Sequence, residues 1–213
     1  MNARPIFFVA AALALATFPH AICAQEAASA ATPSVTRAGL PYLLEGQVPA
    51  SELVDAMRAS RAGGKLLKLD RVLLHSPGFA RGWSTMFGMI RTKMSLDPKL
   101  RELTTMAIAV MNNAQYEWVS HKAAFLAAGG TKAQLAALRD VGRSEFDATP
   151  FDETERAALE LTVEMTRDVA VQPATMGRVR GLMSDQNVVE LIGTISGYNM
   201  VSRFLVATGV DLE

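Results

Sequence analysis

The chain has 213 residues and a single cysteine, Cys23. One thiol excludes an internal disulfide and any two-thiol redox cycle within one copy. Histidine is almost as scarce: His20, His75 and His121 lie far apart, and no metal-ligand spacing joins them to the carboxylates. Neither a metal nor a cofactor is expected. Charge of one sign is missing too, since 21 basic residues balance 21 acidic ones. With no basic run interleaved with aromatics, nucleic acid is excluded as a partner. No stretch alternates apolar and polar residues as a half-buried strand would. The apolar run at 6–18 is too short to cross a bilayer.

That run has a different meaning. Arg4 precedes it, and Ala21-Ile22-Cys23-Ala24 follows. This is the layout of a secretory signal peptide, with cleavage expected after Ala24 and a second candidate site at 28–30. The expected division is therefore a signal peptide at 1–24, a flexible leader and arm at 25–48, and a helical domain at 49–213. The mature protein is expected in the periplasm or outside the cell, without stable membrane association and without a thiol.

About half of the residues are apolar, and helical spacing runs through nearly all of 49–213. Ser51 opens a short amphipathic helix that fades near Gly63-Gly64. Two helical segments meet at Ser76-Pro77-Gly78. Asp97 and Pro98 read as an N-cap and a first helical position. Leu100, Leu103, Met106, Ala107 and Val110 follow at helical spacing. Asn112 and Asn113 break that helix. A second helix then runs to Gly129-Gly130. Thr131 with Gln134, and Asp152 with Glu155, have the form of capping boxes. Pro173 begins another helix. Ser184 caps a long last one, apolar almost all round, that stops at Gly209.

The richest segment is Arg101 to Gly130. It places Glu102, Glu117 and His121 in apolar helical sequence. Ionisable groups there need partners or a task. Two helices joined by so short a break pack as an antiparallel hairpin. At about 1.5 Å rise per residue, Glu102 lies roughly 15 Å before the break and His121 roughly 13 Å after it, so the two face each other. Glu117 and His121 share a face one turn apart. Arg101 offers a two-point contact for a carboxylate, either a substrate's or that of Glu102 or Asp97. Tyr116, Tyr198 and Asn199 are candidate wall residues of the same pocket. Arg203, in an apolar helix one turn after Asn199, needs a specific partner: an ion pair, a subunit interface or a substrate.

The segment RELTTMAIAVMNNAQYEWVSHKAAFLAAG resembles the carboxymuconolactone decarboxylase family, whose wider group includes the alkylhydroperoxidase D-like proteins. Leu69 to Trp83 resembles that family's lead-in, and Val188 to Val210 its closing helix. The resemblance implies a compact all-α domain with a central antiparallel helix hairpin. It also implies homo-oligomers, trimers or multiples of them. In the peroxidase branch an upstream Glu precedes a Cys-x-x-Cys pair and then a His. Glu102 and His121 match that Glu and His, whereas Ala114 and Glu117 occupy the two cysteine positions.

The expected function is acid/base chemistry, decarboxylation or proton transfer beside a carbonyl, on a small carboxylated or lactone-like substrate. The resemblance implies a lyase, here expected to work without redox cysteines. His121 is assigned as general acid/base, with Glu102 orienting it or relaying its proton. Glu117 is a second acid/base group, held protonated by the nearby Glu102 in a dry pocket. Arg101, Tyr116, Tyr198, Asn199 and Arg203 are the candidate substrate contacts. Two alternatives stand beside this: an alkylhydroperoxidase-like antioxidant protein, and an exported protein that binds a small molecule without converting it.

Overall fold

The computed structural model describes residues 34–213. The expected signal peptide, its cleavage sites, Cys23 and the first part of the leader lie outside the described residues. Among the described residues there are nine α-helices and no strand, only one isolated bridge between Val35 and Pro41. No helix among them is long and apolar enough to cross a membrane.

The chain enters as an irregular arm. Backbone bonds tie Arg37 and Ala38 to Gly209 and Thr208, and Tyr42 is buried with its hydroxyl against Asp211. The arm from 34 to 48 is thus tied to the body: Tyr42 is buried, Leu43 and Val48 pack against the core, and Val35 and Leu40 stay exposed. His75 serves this arm as well, with Nε2 2.7 Å from the Pro41 carbonyl. The helices then follow in order: α1 (Glu52–Ala59), α2 (Lys68–Leu73), α3 (Pro77–Thr92), α4 (Pro98–Met111), α5 (Gln115–Ala127), α6 (Lys132–Ala137), α7 (Glu153–Arg167), α8 (Pro173–Leu182) and α9 (Asp185–Thr208).

Their ends are set by local chemistry. Ser51, Asp97, Thr131, Asp152 and Ser184 each accept a bond from a first-turn amide. Such caps contribute about 0.5–2 kcal/mol each. Pro77, Pro98 and Pro173 occupy first-turn positions, where a missing N–H is harmless. Gly209 ends α9 in the left-handed conformation, φ 64°, which an L side chain adopts only under strain.

Helix α4 is the axis of the body and packs on α5, α7 and α9. It is apolar on nearly every side, and Leu103, Met106, Ala107 and Ile108 are fully buried. Burying each large side chain contributes roughly 1.5–3 kcal/mol. Thr104 and Thr105 tolerate the same surroundings because their hydroxyls donate to the Arg101 carbonyl, at 3.0 and 2.9 Å. The turn after α4 passes through Asn113 at φ 53° and reverses the chain into α5. Asn112 fastens that turn to α9, donating to Asn199 Oδ1 and Ser202 Oγ. Helix α9 turns Leu191, Ile195, Tyr198, Val201 and Leu205 into the core, while Val189, Met200 and Val206 remain exposed.

Candidate functional site

The α4–α5 hairpin delivers what its spacing implies. Glu102 on α4 and His121 on α5 stand level, with Nδ1 of His121 2.7 Å from Oε2 of Glu102. The other Glu102 oxygen accepts from Arg101 Nε at 3.1 Å. Glu102 is 3 % exposed. Burial pushes its pKa up, but the His121 hydrogen bond, the His121 charge and Arg101 outweigh burial and hold it below the usual carboxylate range. An ionised carboxylate only accepts hydrogen bonds. Nδ1 of His121 therefore carries the proton, and Nε2 is left as the working nitrogen of the ring.

Glu117, one turn before His121, is 1 % exposed, and neither carboxyl oxygen has a hydrogen-bond partner among the described residues. The reason is local. A Glu at the third position of a helix usually reaches back to the cap residue's amide. Here the cap is Ala114, whose N–H instead donates to the Ala109 carbonyl at 2.8 Å. Deprived of that partner and of water, the carboxyl has its pKa raised well above the ordinary value, and burial is the sole cause. Of the two expected causes, the nearby Glu102 and a dry pocket, only the dry pocket acts on Glu117. Glu102 and Glu117, carboxyls on neighbouring helices, are driven in opposite directions by their surroundings.

Both Glu117 and His121 line a cavity of about 100 Å³ between α2, α3, α5 and α9. Tyr198 closes it from α9. Its ring meets the His121 ring edge-on, with centroids 5.1 Å apart. Its hydroxyl is buried without a partner, and burial, followed by the charge of Glu102, pushes its pKa up to about 12. Tyr116 also lines the cavity, but its hydroxyl already donates to Glu213 at 2.8 Å.

Three expected substrate contacts lie elsewhere. Arg101 is spent on Glu102 and on the Arg91 carbonyl, and its side chain is not part of the cavity wall. Asn199 is fully used within the protein: it accepts from Asn112 and Arg203 and donates to Thr166 and the Ile195 carbonyl. Arg203 holds Asn199 from the same helix, through its carbonyl and side-chain oxygens. Among the described residues Arg203 has no carboxylate partner, and it is exposed. Two wall residues have no sequence signal. Arg91 looks like an ordinary basic residue in a last helical turn. Arg61 forms a two-point pair with fully buried Asp70, at 2.9 and 2.7 Å, across nine positions. Among the described residues no three His, Cys, Asp or Glu side chains are grouped to hold a metal ion.

The Glu102 ion pair has a measurable consequence. Its folded pKa lies below its unfolded one, so the unfolded chain binds more protons in the window between them. The stabilisation is complete above the unfolded value, about 4.3, and fades as pH falls through the folded value. Urea midpoints measured across the acid range should therefore drop less steeply for Glu102→Gln than for the wild type. Parallel acid limbs would contradict the ion pair.

Comparison with known proteins agrees with this architecture. Residues 77–164 match the carboxymuconolactone decarboxylase family. No curated protein matches. Among solved structures, the alkylhydroperoxidase AhpD core of an uncharacterized peroxidase-related protein from Ralstonia eutropha JMP134 is similar at a TM-score of 0.71 and 16 % identity, over 85 % of this chain and 94 % of that one. An uncharacterized peroxidase-related protein from Silicibacter sp. TM1040 is similar at 0.69 and 18 % identity, over 85 % and 94 %. The debrominase Bmp8, in complex with 2,3,4-tribromopyrrole, is similar at 0.65 and 17 % identity, over 82 % and 91 %. The helix hairpin lies within the segment, residues 77–164, that matches the carboxymuconolactone decarboxylase family, and the chain shares its all-α fold with the alkylhydroperoxidase D-like structures.

Proposed function

We propose that this protein is an acid/base enzyme that moves a proton beside a carbonyl, or releases carbon dioxide there, on a small carboxylated or lactone-like carbon acid, without using sulfur. The observation that carries this reading is Glu117, a buried carboxyl with no protein partner, in the same cavity wall as an imidazole backed by Glu102. One group is suited to give a proton and the other to take one.

The chemistry follows from those states. Nε2 of His121 removes a proton from carbon next to a carbonyl, and the electron pair moves to the carbonyl oxygen. In the decarboxylating version the bond to the carboxylate breaks instead, and its electrons go to the same oxygen. The neutral Glu117 carboxyl and the Tyr198 hydroxyl, both lacking partners, are hydrogen-bond donors for that developing negative charge. In the proton-transfer course the imidazolium returns a proton to carbon; in the decarboxylating course Glu117 gives carbon its proton and is reprotonated by water when the product leaves. Glu102 balances the imidazolium. Arg91 in the cavity wall, without a carboxylate partner among the described residues, favours an anionic substrate.

The test is solvent exchange. A panel of β-keto acids and γ-lactone acids is incubated with the protein in deuterium oxide and followed by proton NMR. Deuterium uptake or carbon dioxide loss above the buffer rate supports the reading. A full panel at the buffer rate contradicts it.

Peroxide chemistry is the reading suggested by two structural neighbours, both described as peroxidase-related. The chain's only cysteine is Cys23, and Ala114 and Glu117 hold the positions of the thiol pair. Within this proposal the N-terminal segment directs export and cleavage after Ala24 removes that cysteine. Cys23→Ser should then change no activity, and the exported protein with a dithiol reductant should consume hydroperoxide no faster than the reductant alone. Intact-mass measurement reads the cleavage directly.

A further inference from the structure

The reactive cavity is small. At about 100 Å³ it holds only a few heavy atoms, well below the roughly 300–1,000 Å³ of a pocket enclosing a whole organic ligand. A larger groove of about 520 Å³ adjoins it between α1 and α3. Arg61, Trp83 and Arg91 stand in the walls of both, so the two spaces share a partition.

The groove has a consistent chemical character. Leu53, Met57, Trp83 and Met89 give it apolar surface. Arg61, Arg81 and Arg91 set three cations against a single acid, Glu52. Arg61 is neutralised by Asp70, at 2.7 Å. Arg81 and Arg91 have no carboxylate partner among the described residues. Guanidinium groups beside apolar surface suit a ligand with a hydrocarbon body and a negative head. A cationic or purely polar ligand would satisfy only half of that surface.

We propose that the α1–α3 groove is a subsite for an apolar-bodied organic anion, holding the remote part of the substrate while its carbonyl end enters the cavity beside His121. Its role in turnover rests on the proton-transfer reading, but the binding itself does not. Remote contacts of this kind supply binding energy that orients the reacting end.

Trp83 provides the measurement. The chain has two tryptophans, and Trp118 lies under Arg139, 3.7 Å from its guanidinium carbon. Trp118→Phe therefore leaves Trp83 as the sole emitter. Octanoate should shift its fluorescence saturably, octanol more weakly, and octylamine and acetate little or not at all. Arg81→Ala should weaken octanoate about fivefold, the upper range for an exposed ion pair, and leave octanol unchanged. Calorimetric titration of wild-type protein gives the same ranking without the reporter substitution. Equal binding of octylamine and octanoate, or no saturable octanoate binding by either method, overturns the proposal. The same titration in His121→Gln separates the two ideas. Octanoate binding retained by His121→Gln, with no proton moved by the wild type on the panel, keeps the subsite and removes the reaction. Proton transfer without octanoate binding removes the subsite and keeps the reaction.

Discussion

His121→Ala should lower the rate of deuterium uptake or decarboxylation about 10²- to 10⁴-fold, the contribution of a positioned acid/base group. The effect belongs to the chemical step, because the imidazole is the cavity-wall group whose second nitrogen is held by a buried carboxylate. The alanine variant also strips Glu102 of one of its two partners, leaving Arg101. Some loss of stability is therefore expected alongside the loss of rate. His121→Gln separates the two: its amide donates to Glu102 but does not cycle a proton near neutral pH. Unfolding midpoints near wild type with a rate as low as that of alanine identify the imidazole as the proton carrier. A glutamine variant with wild-type turnover contradicts the assignment.

Glu117→Met should make the protein more stable and inactive. Methionine fills a similar volume with no group that needs a hydrogen bond. Relief of an unpartnered buried polar group is worth about 1–3 kcal/mol, which raises Tm by about 2–4 °C per kcal/mol in a chain of this size. The sign of the pH dependence follows from the raised pKa. Above the unfolded value of about 4.3, the native state keeps a proton that the unfolded chain gives up. Wild-type stability therefore falls as pH rises towards the folded value, and the methionine variant loses this component. The advantage of methionine should widen from acid to neutral pH. A variant less stable than wild type at neutral pH would show that the carboxyl has partners after all. Glu117→Gln, similar in shape but unable to donate an acidic proton, should share the inactivity.

The helix hairpin and its opposed Glu102 and His121 were legible because the signals are local. Asp97, Asn113 and the two glycines after α5 set where the helices begin and end, and rise per residue sets the level at which side chains meet. Caps at Ser51, Thr131, Asp152 and Ser184 were readable for the same reason. The cavity wall was not. Arg61 comes from the segment after α1 and Arg91 from α3, and only tertiary packing brings them near α5. Asn199 and Arg203 show the opposite limit. Polar residues in an apolar helix suggested a site, yet they satisfy one another and fasten the α4–α5 turn to α9. Arg101 went to its own neighbour, Glu102, which needed a second partner more than a substrate needed a clamp. For Glu117 the sequence pointed to a protonated carboxyl in a dry pocket, and only the added influence of Glu102 is absent. The Ala114 amide, already given to the Ala109 carbonyl and invisible without the backbone, leaves it unbonded.

The whole scheme turns on one proton being present where solvated glutamates have none. Carbon-13 NMR of protein labelled at the glutamate side-chain carboxyls reads this directly, with Glu117→Gln to assign the signal. At about pH 6, well above the ~4.3 of a solvated glutamate, the account predicts one carboxyl carbon still at its neutral position, absent from the glutamine variant. A Glu117 signal already shifted to the carboxylate position at that pH would leave the cavity without its acid and contradict the account.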